Sequence, residues 1–159
     1  MKILLLKEAK NHEDSKLIKN LATESCKHFN EVRGVKVGIA DGSCCAAILL
    51  KNGIYRFGNS QAFDKDSDAP EKCACHAEQC ALYVAKKESY YPHLFVELIP
   101  CNGAYKGHNC QEWIKENVIL ETGENEFYVW YLFTNPMDMK KFHKLKLDEQ
   151  LKYIDNLFK

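Results

Sequence analysis

The stretch CCAAILLKNGIYRFGN, residues 44–59, contains two strand-like segments separated by an Asn-Gly turn. Residues 44–50 form a compact apolar run, and residues 54–59 follow the turn segment KNG at 51–53. An Asn-Gly pair between two such segments is the strongest short-range hairpin signal, because both residues tolerate the positive φ angles of a tight turn. This stretch therefore predicts an antiparallel hairpin within a β-sheet.

Downstream of the hairpin, helix-like and strand-like segments alternate. Residues 72–88 are rich in good helix formers, and residues 94–99 have the composition of a buried strand, beside which we expect the hairpin to pack. A second helix begins at Cys110 with Asn109 placed as its N-cap, and aromatic and β-branched residues at 127–134 predict a central strand. The alternation predicts an α/β layered fold with at least one parallel strand pair.

The two ends of the chain add a short strand or tether at residues 1–6, a helix at 15–30 and a helical tail at 137–159. The length of 159 residues is that of a single domain, 1–159, with its core at roughly 15–135. The apolar run at the N-terminus is too short for a signal-peptide core or a membrane span. We therefore expect a cytoplasmic protein with no membrane contact, with export by another system left open.

Charge and cysteine content narrow the function classes. The 22 Lys+Arg residues balance the 22 Asp+Glu residues, so overall charge indicates no affinity for a polyanion. Four lysines at 140, 141, 144 and 146 are interpreted by default as a solvated helix face, with nucleic-acid contact as the alternative. Without a signal peptide, the eight cysteines favour reduced thiols or metal ligands over disulfides.

Two fragments carry the residue types of a metal site. His76 stands near the start of the first downstream helix, Cys101 closes a strand, and Cys110 opens the next helix. One imidazole and two thiolates suit tetrahedral Zn²⁺, and three protein ligands leave a fourth position for water, which is typical of a catalytic site. Glu78 lies two residues beyond His76, where a carboxylate can move protons without binding the metal. We expect the N-terminus of the helix that carries Glu78 to point at Cys101.

The fragments His76-Ala77-Glu78 and Pro100-Cys101, with Cys110 after them, resemble the H-x-E and P-C-x-x-C signature of the cytidine deaminase superfamily. The resemblance implies a three-layer α-β-α sandwich with a mixed sheet of about four to five strands and a hairpin at its edge. It also implies a zinc cofactor held by His76, Cys101 and Cys110, with Glu78 as the general acid/base. The expected reaction is hydrolytic deamination of a nucleobase, most often cytosine to uracil, in a nucleoside, a nucleotide or single-stranded nucleic acid. The helical tail is similar to that of nucleic-acid-editing and toxin-like members.

The spacing of the two cysteines departs from the family pattern. The family has C-x-x-C, whereas eight residues, Asn102 to Asn109, separate Cys101 from Cys110 here. We interpret these residues as a loop between a strand-ending cysteine and a helix-starting cysteine. His108 is the alternative third ligand.

Three further residues are candidate substrate contacts. Asn59 follows the hairpin at the position where nucleoside-specific relatives contact the sugar, and Tyr105 lies in the loop between the cysteines, where it can stack on a base. Asn135 follows the last strand at a junction that lines the pocket in the resembled family, although an Asn-Pro turn explains it equally well. Cys73, Cys75 and Cys80 are interpreted as small core residues rather than as a structural zinc site.

Two other function classes remain open at this stage. One is a zinc-stabilised binding module of the same fold without catalysis. The other is a deaminase of a different amine-bearing heterocycle, such as adenine or guanine. The expected partner is a nucleobase-containing substrate, and the sequence does not indicate an oligomeric state.

Overall fold

A computed structural model describes residues 1–35, 39, 42–60, 76–85, 88–102, 109–119 and 126–159. The described strands form one open, mixed sheet of five strands in the order β1-β5-β4-β2-β3. The strands are β1 (Lys2–Leu5), β2 (Cys45–Leu50), β3 (Tyr55–Asn59), β4 (Tyr90–Leu98) and β5 (Tyr128–Phe133). The predicted α/β class with a mixed sheet is confirmed.

The hairpin of β2 and β3 forms one edge of this sheet, as the Asn-Gly turn predicts. Gly53 has φ +89°, and the Asn52 side chain accepts a hydrogen bond from the Ile54 N–H at 3.0 Å. β2 pairs antiparallel with β4, with Ala46 opposite Val96, so the expected packing of the hairpin beside this strand is also confirmed.

The other edge is built from parallel strands. β5 pairs parallel with both β4 and β1, which confirms the predicted parallel pair and makes the N-terminal segment a strand rather than a tether. β4 begins at Tyr90, four residues before the predicted start, and contains Pro92. The strand accommodates this proline because the ladder between β2 and β4 has an irregularity there, between the pairs Ile48–Leu94 and Leu50–Tyr90, where a backbone N–H is not needed.

Helices cover both faces of the sheet, an arrangement compatible with a three-layer sandwich. They are α1 (Ser15–Val32), α2 (Ala77–Ala85), α3 (Cys110–Ile114), which continues as a wider π-helical turn (Lys115–Ile119), α4 (Pro136–His143) and α5 (Leu147–Leu157), with a 3-10 helix at Leu6–Asn11. The neighbouring β2 residues Ala46 and Ala47 belong to two separate core clusters, one beneath α2 and the other beneath α1, because successive strand residues point to opposite faces.

The C-terminal tail differs from the single helical segment expected at 137–159. It consists of two helices, because the chain leaves helical geometry after Lys144 and Glu149 then caps a new helix by accepting a hydrogen bond from the Lys146 N–H. α5 packs against α1, where Lys19 pairs with Asp155. None of the described helices has both the length and the apolar character needed to cross a membrane.

Candidate metal centre

Three chain segments bring His76, Cys101 and Cys110 together beyond the carboxyl end of β4. His76 precedes α2, and its carbonyl accepts the Cys80 N–H at 3.1 Å, so His76 occupies the N-cap position. Cys101 follows the end of β4, and Cys110 is the first residue of α3. The cap predicted for α3 is present, because Asn109 Oδ1 accepts the Glu112 N–H at 3.0 Å.

The donor atoms of these three residues face one another. His76 Nδ1 lies 3.0 Å from Cys110 Sγ and 3.9 Å from Cys101 Sγ, and the two sulfurs are 3.2 Å apart. One nitrogen and two sulfurs within 4.8 Å form a group that can hold a metal ion. The structure thus brings together the three residues predicted as ligands, despite the long spacing between the cysteines.

Glu78 lies beside this group in the first turn of α2. Its side chain is almost fully buried, and Oε1 is 3.8 Å from His76 Nδ1. Burial raises the pKa of the Glu78 carboxyl, and a hydrogen bond with the Cys110 thiol offsets part of this effect. A carboxyl group whose pKa is raised in this way holds a proton more readily than an exposed carboxyl, which suits a group that accepts and returns a proton.

Two hydrogen bonds support the cysteine sulfurs. The Cys110 N–H donates to Cys101 Sγ at 3.2 Å, and the side-chain amide of Gln79 donates to Cys110 Sγ at 3.3 Å. Burial, followed by the nearby Glu78 carboxylate, raises the pKa of the metal-free Cys110 thiol. The sequence interpretation missed Gln79, although its place three residues after His76 puts it on the adjacent helical turn.

A cavity of about 470 Å³ opens over the metal-ligand group. Its lining residues are Gly42, Cys44, Ser60, His76, Ala77, Glu78, Leu98, Ile99, Cys101, Pro136 and Met139. Two hydrogen bonds lie behind the lining residue Gly42: its N–H donates to His143 Nδ1 at 2.9 Å, and His143 Nε2 lies 2.7 Å from the buried Glu97 Oε1. The lining residues are mainly apolar, and His76, Glu78 and Cys101 contribute ionisable groups to the cavity.

The candidate substrate contacts Asn59 and Asn135 differ in their hydrogen bonding. Asn59 ends β3 next to the cavity-lining Ser60, and its buried Oδ1 has no hydrogen-bond partner within the described part of the chain. Asn135 caps α4 by accepting the Met137 N–H at 2.8 Å, so the turn explanation accounts for its side chain. Tyr105 and the alternative ligand His108 lie outside the described residues.

The additional cysteines near His76 are only partly described. Cys80 is buried within α2, in agreement with its interpretation as a core residue. Cys73 and Cys75 lie outside the described residues.

Gly58 allows α2 to approach the hairpin closely. A Cβ at position 58 would lie 2.5 Å from the Ala81 nitrogen and would also collide with the Ala77 carbonyl oxygen. The lack of a side chain at Gly58 thus permits the close position of α2, the helix that follows His76 and carries Glu78.

A second group of possible metal ligands, His12, Asp14 and His93, has a different character. His93 Nδ1 accepts the Trp130 indole N–H at 3.1 Å, so its proton resides on Nε2, which lies 2.8 Å from Asp14 Oδ2. His12 Nδ1 accepts the Asp14 N–H at 3.0 Å. Both ring nitrogens of His93, Nδ1 of His12 and one Asp14 oxygen thus take part in hydrogen bonds within the protein.

No family model matches the chain, and no curated protein and no solved structure is detectably similar to it. Any statement of function therefore depends on the chemistry of the residues described above.

Proposed function

We propose that the chain is a zinc-dependent hydrolytic deaminase of a nucleobase, with the fold and chemistry of the cytidine deaminase superfamily and cytosine as the first base to test. One observation carries the proposal. The donor atoms of His76, Cys101 and Cys110 converge beside the buried Glu78 carboxyl, and His76, Cys101 and Glu78 line the same cavity. Histidine and cysteine ligands next to a non-ligand glutamate are the constellation of zinc-dependent base deaminases.

The donor set fits zinc in chemistry and in spacing. Zinc–sulfur bonds of about 2.3 Å and zinc–nitrogen bonds of about 2.0 Å in a tetrahedron set donor separations of about 3.8 Å between sulfurs and about 3.5 Å between sulfur and nitrogen. The separations of 3.2, 3.0 and 3.9 Å are within about 0.6 Å of these values. Three protein ligands also leave one coordination position for water or substrate.

The residues around the metal-ligand group supply the remaining chemistry. A zinc ion held there provides Lewis acidity and lowers the pKa of a water molecule that it coordinates. Glu78 takes a proton from the attacking water as the oxygen bonds to the amine-bearing ring carbon. Glu78 then delivers a proton to the amine nitrogen, the carbon–nitrogen bond breaks and ammonia leaves. Water and an aminated base are consumed, and a carbonyl-bearing base and ammonia are formed.

The cavity suits a planar heterocycle. A volume of about 470 Å³ is within the range of small-molecule sites. Leu98, Ile99 and Met139 provide apolar surface for the faces of a ring, while Glu78 lies beside His76, where the amine would react. Asn59, beside the cavity wall, offers a buried amide oxygen that suits a sugar hydroxyl donor.

The test is a mass-spectrometric screen of the zinc-loaded protein. The panel contains cytidine, deoxycytidine, their monophosphates, adenosine, guanine, and short single-stranded DNA and RNA. Each substrate is also incubated with Glu78→Gln, which retains the side-chain size but cannot shuttle the proton, and with Glu112→Gln as a matched control on the exposed start of α3. We expect one class to release ammonia with the wild type and the control, and a loss of at least about a hundredfold in Glu78→Gln.

Other results would identify the competing function classes. Full activity in Glu78→Gln would contradict the assigned proton transfer. Zinc binding and a folded protein without turnover of any panel member would favour the binding module. Turnover of adenosine or guanine without turnover of cytosine would retain the reaction and change the base.

A further inference from the structure

A second, separate cleft lies between the end of β5 and the two C-terminal helices. Its volume is about 360 Å³, and its lining residues are Phe133, Asp138, Lys141, Phe142, Leu145 and Tyr153. Phe133 and Tyr153 have ring centroids 6.2 Å apart, and both contact Phe142, at 5.3 and 5.5 Å. Tyr153 is 41% exposed, Phe133 is half-buried and Phe142 is buried, so the Tyr153 ring is the most open to solvent of the three. We name this site the aromatic cleft.

Helix α4 is the wall between the aromatic cleft and the cavity at the metal-ligand group. Pro136 and Met139 line the cavity, whereas Asp138, Lys141 and Phe142 line the aromatic cleft. The i, i+3 and i, i+4 spacings within each set place the two sets on different faces of one helix. The two sites are also connected through the backbone. The N–H of Ile99, which lines the cavity, donates a hydrogen bond to the carbonyl of Phe133, which lines the aromatic cleft. The two sites are therefore separated by about one helix diameter, roughly 10 Å.

Two consecutive lysines flank this wall. Lys140 lies against the cavity rim, because a Cβ added at Gly42 would be 3.0 Å from Lys140 Cε. Lys141 lines the aromatic cleft. A cation at each side of the same helix turn suits a chain of phosphates that crosses the helix from one site to the other.

The residues of the aromatic cleft favour a nucleobase over a phosphate as the group that enters it. The exposed ring of Tyr153 and the half-buried ring of Phe133 suit the face of an uncharged nucleobase, because any of the bases can stack on an aromatic side chain. The Asp138 carboxylate in the same cleft repels a phosphate and can accept a hydrogen bond from a base amino group. The base would thus occupy the aromatic cleft, with its phosphate outside at the lysines.

We propose that the aromatic cleft binds a second nucleobase of a single-stranded polynucleotide whose target base occupies the cavity at the metal-ligand group. This inference rests on the proposed deaminase function and extends it, because it makes a polynucleotide the preferred substrate rather than a free nucleoside. Lys140 and Lys141, two of the four lysines of the tail, are then part of a phosphate-binding surface instead of a solvated helix face.

The test is a binding measurement that does not require turnover. The zinc-loaded Glu78→Gln protein is titrated with a fluorescently labelled mononucleotide and with labelled DNA and RNA oligonucleotides of three to five nucleotides. Tyr153→Ala and Lys141→Gln are introduced into the same background. Tyr83→Ala on α2 and Lys115→Gln after α3 are the matched controls, since both side chains are exposed and lie on other elements. Thermal unfolding checks that each variant is folded.

We expect the oligonucleotides to bind at least about tenfold more tightly than the mononucleotide, since one stacked base contributes roughly a tenfold to hundredfold gain. Tyr153→Ala is expected to lose most of this gain and to leave mononucleotide binding unchanged. Lys141→Gln is expected to lower the slope of log affinity against log salt by about one. The DNA and RNA arms show which polynucleotide the surface prefers.

Equal affinity for mononucleotide and oligonucleotide, or equal affinity of Tyr153→Ala and Tyr83→Ala for the oligonucleotide, would overturn the inference. If the wild type deaminates a mononucleotide and such an equality is found, the proposed function stands and the aromatic cleft has no role in it. If the oligonucleotide gain and its sensitivity to Tyr153→Ala are found without deamination of any base, the cleft is supported and the proposed reaction is not.

Discussion

The side-chain amide of Gln79 donates a hydrogen bond to the sulfur of Cys110 across 3.3 Å, inside the protein. A donor aimed at a thiolate stabilises its charge and fixes its position, and such supporting contacts typically contribute about tenfold to a hundredfold in metal affinity. Gln79→Leu, which keeps the side-chain size but removes the donor, is therefore expected to weaken zinc binding by about that factor. Competition with a colorimetric chelator measures the change. An unchanged affinity would show that the contact has no part in metal binding.

The identity of the third ligand is tested by two substitutions. Cys110 Sγ lies 3.0 Å from His76 Nδ1, so Cys110→Ser is expected to abolish stoichiometric zinc binding, whereas His108→Ala retains it. Metal content after gel filtration measures both. Zinc retained in Cys110→Ser and lost in His108→Ala would reverse the assignment.

Metal removal should also lower stability, because an ion that binds only the folded state stabilises it by mass action. At a free zinc concentration about one hundred times the dissociation constant, the contribution is about 2.7 kcal/mol. Urea unfolding of the wild type with zinc and with a chelator measures this difference. The same comparison in Cys110→Ser should give no difference, which makes this variant the control for effects of the chelator itself.

Gly58→Ala is expected to destabilise the fold and to disturb the metal-ligand group together. The added methyl would collide with the backbone of α2 at Ala77 and Ala81, and overpacking of this kind typically costs about 1–3 kcal/mol. Gly34→Ala is a useful comparison, because an added Cβ meets nothing within 4 Å there and its cost comes from the positive φ of +73° alone. Urea unfolding and zinc titration are the measurements. A shift in stability with unchanged zinc affinity would argue against Gly58 as a determinant of the position of His76.

His93 should make stability depend on pH. Burial lowers its pKa below the usual 6.5, an effect that the hydrogen bond to Asp14 only partly offsets. As the pH falls below 6.5, the unfolded chain binds a proton at His93 before the folded protein does, so the stability contributed by the neutral histidine is lost as the pH falls toward the lowered pKa. The size of this loss reports how far folding lowers the pKa of His93.

Urea unfolding at about pH 7.5 and about pH 5.5 measures this loss, with His93→Gln as the control that cannot titrate in this range. The wild type should lose more of its free energy of unfolding than the variant does. Equal losses in both proteins would assign the pH dependence to other groups.

Local sequence signals predicted much of the fold. The Asn52-Gly53 pair specified the hairpin, Asn109 specified the start of α3, and the alternation after the hairpin specified an α/β layered fold with a parallel strand pair. These features follow from the backbone preferences of single residues and from periodicity over a few residues. Both can be read from the sequence without knowledge of the tertiary structure. The sequence was less informative about features that depend on packing against residues far away in the chain. Pro92 lies within β4 because of an irregularity in its pairing with β2, and the tail divides into two helices as α5 packs against α1.

The sequence by itself determined which chemical groups are available: an imidazole, two thiols and a carboxylate of the types that suit a catalytic zinc site. Only the tertiary structure decided that Cys101 and Cys110 meet at 3.2 Å across eight intervening residues, that Gln79 supports one of them, and that an aromatic cleft lies across α4 from the cavity. The physical reason is that a donor distance depends on how separate helices and strands pack. Residue spacing along the chain does not encode that packing.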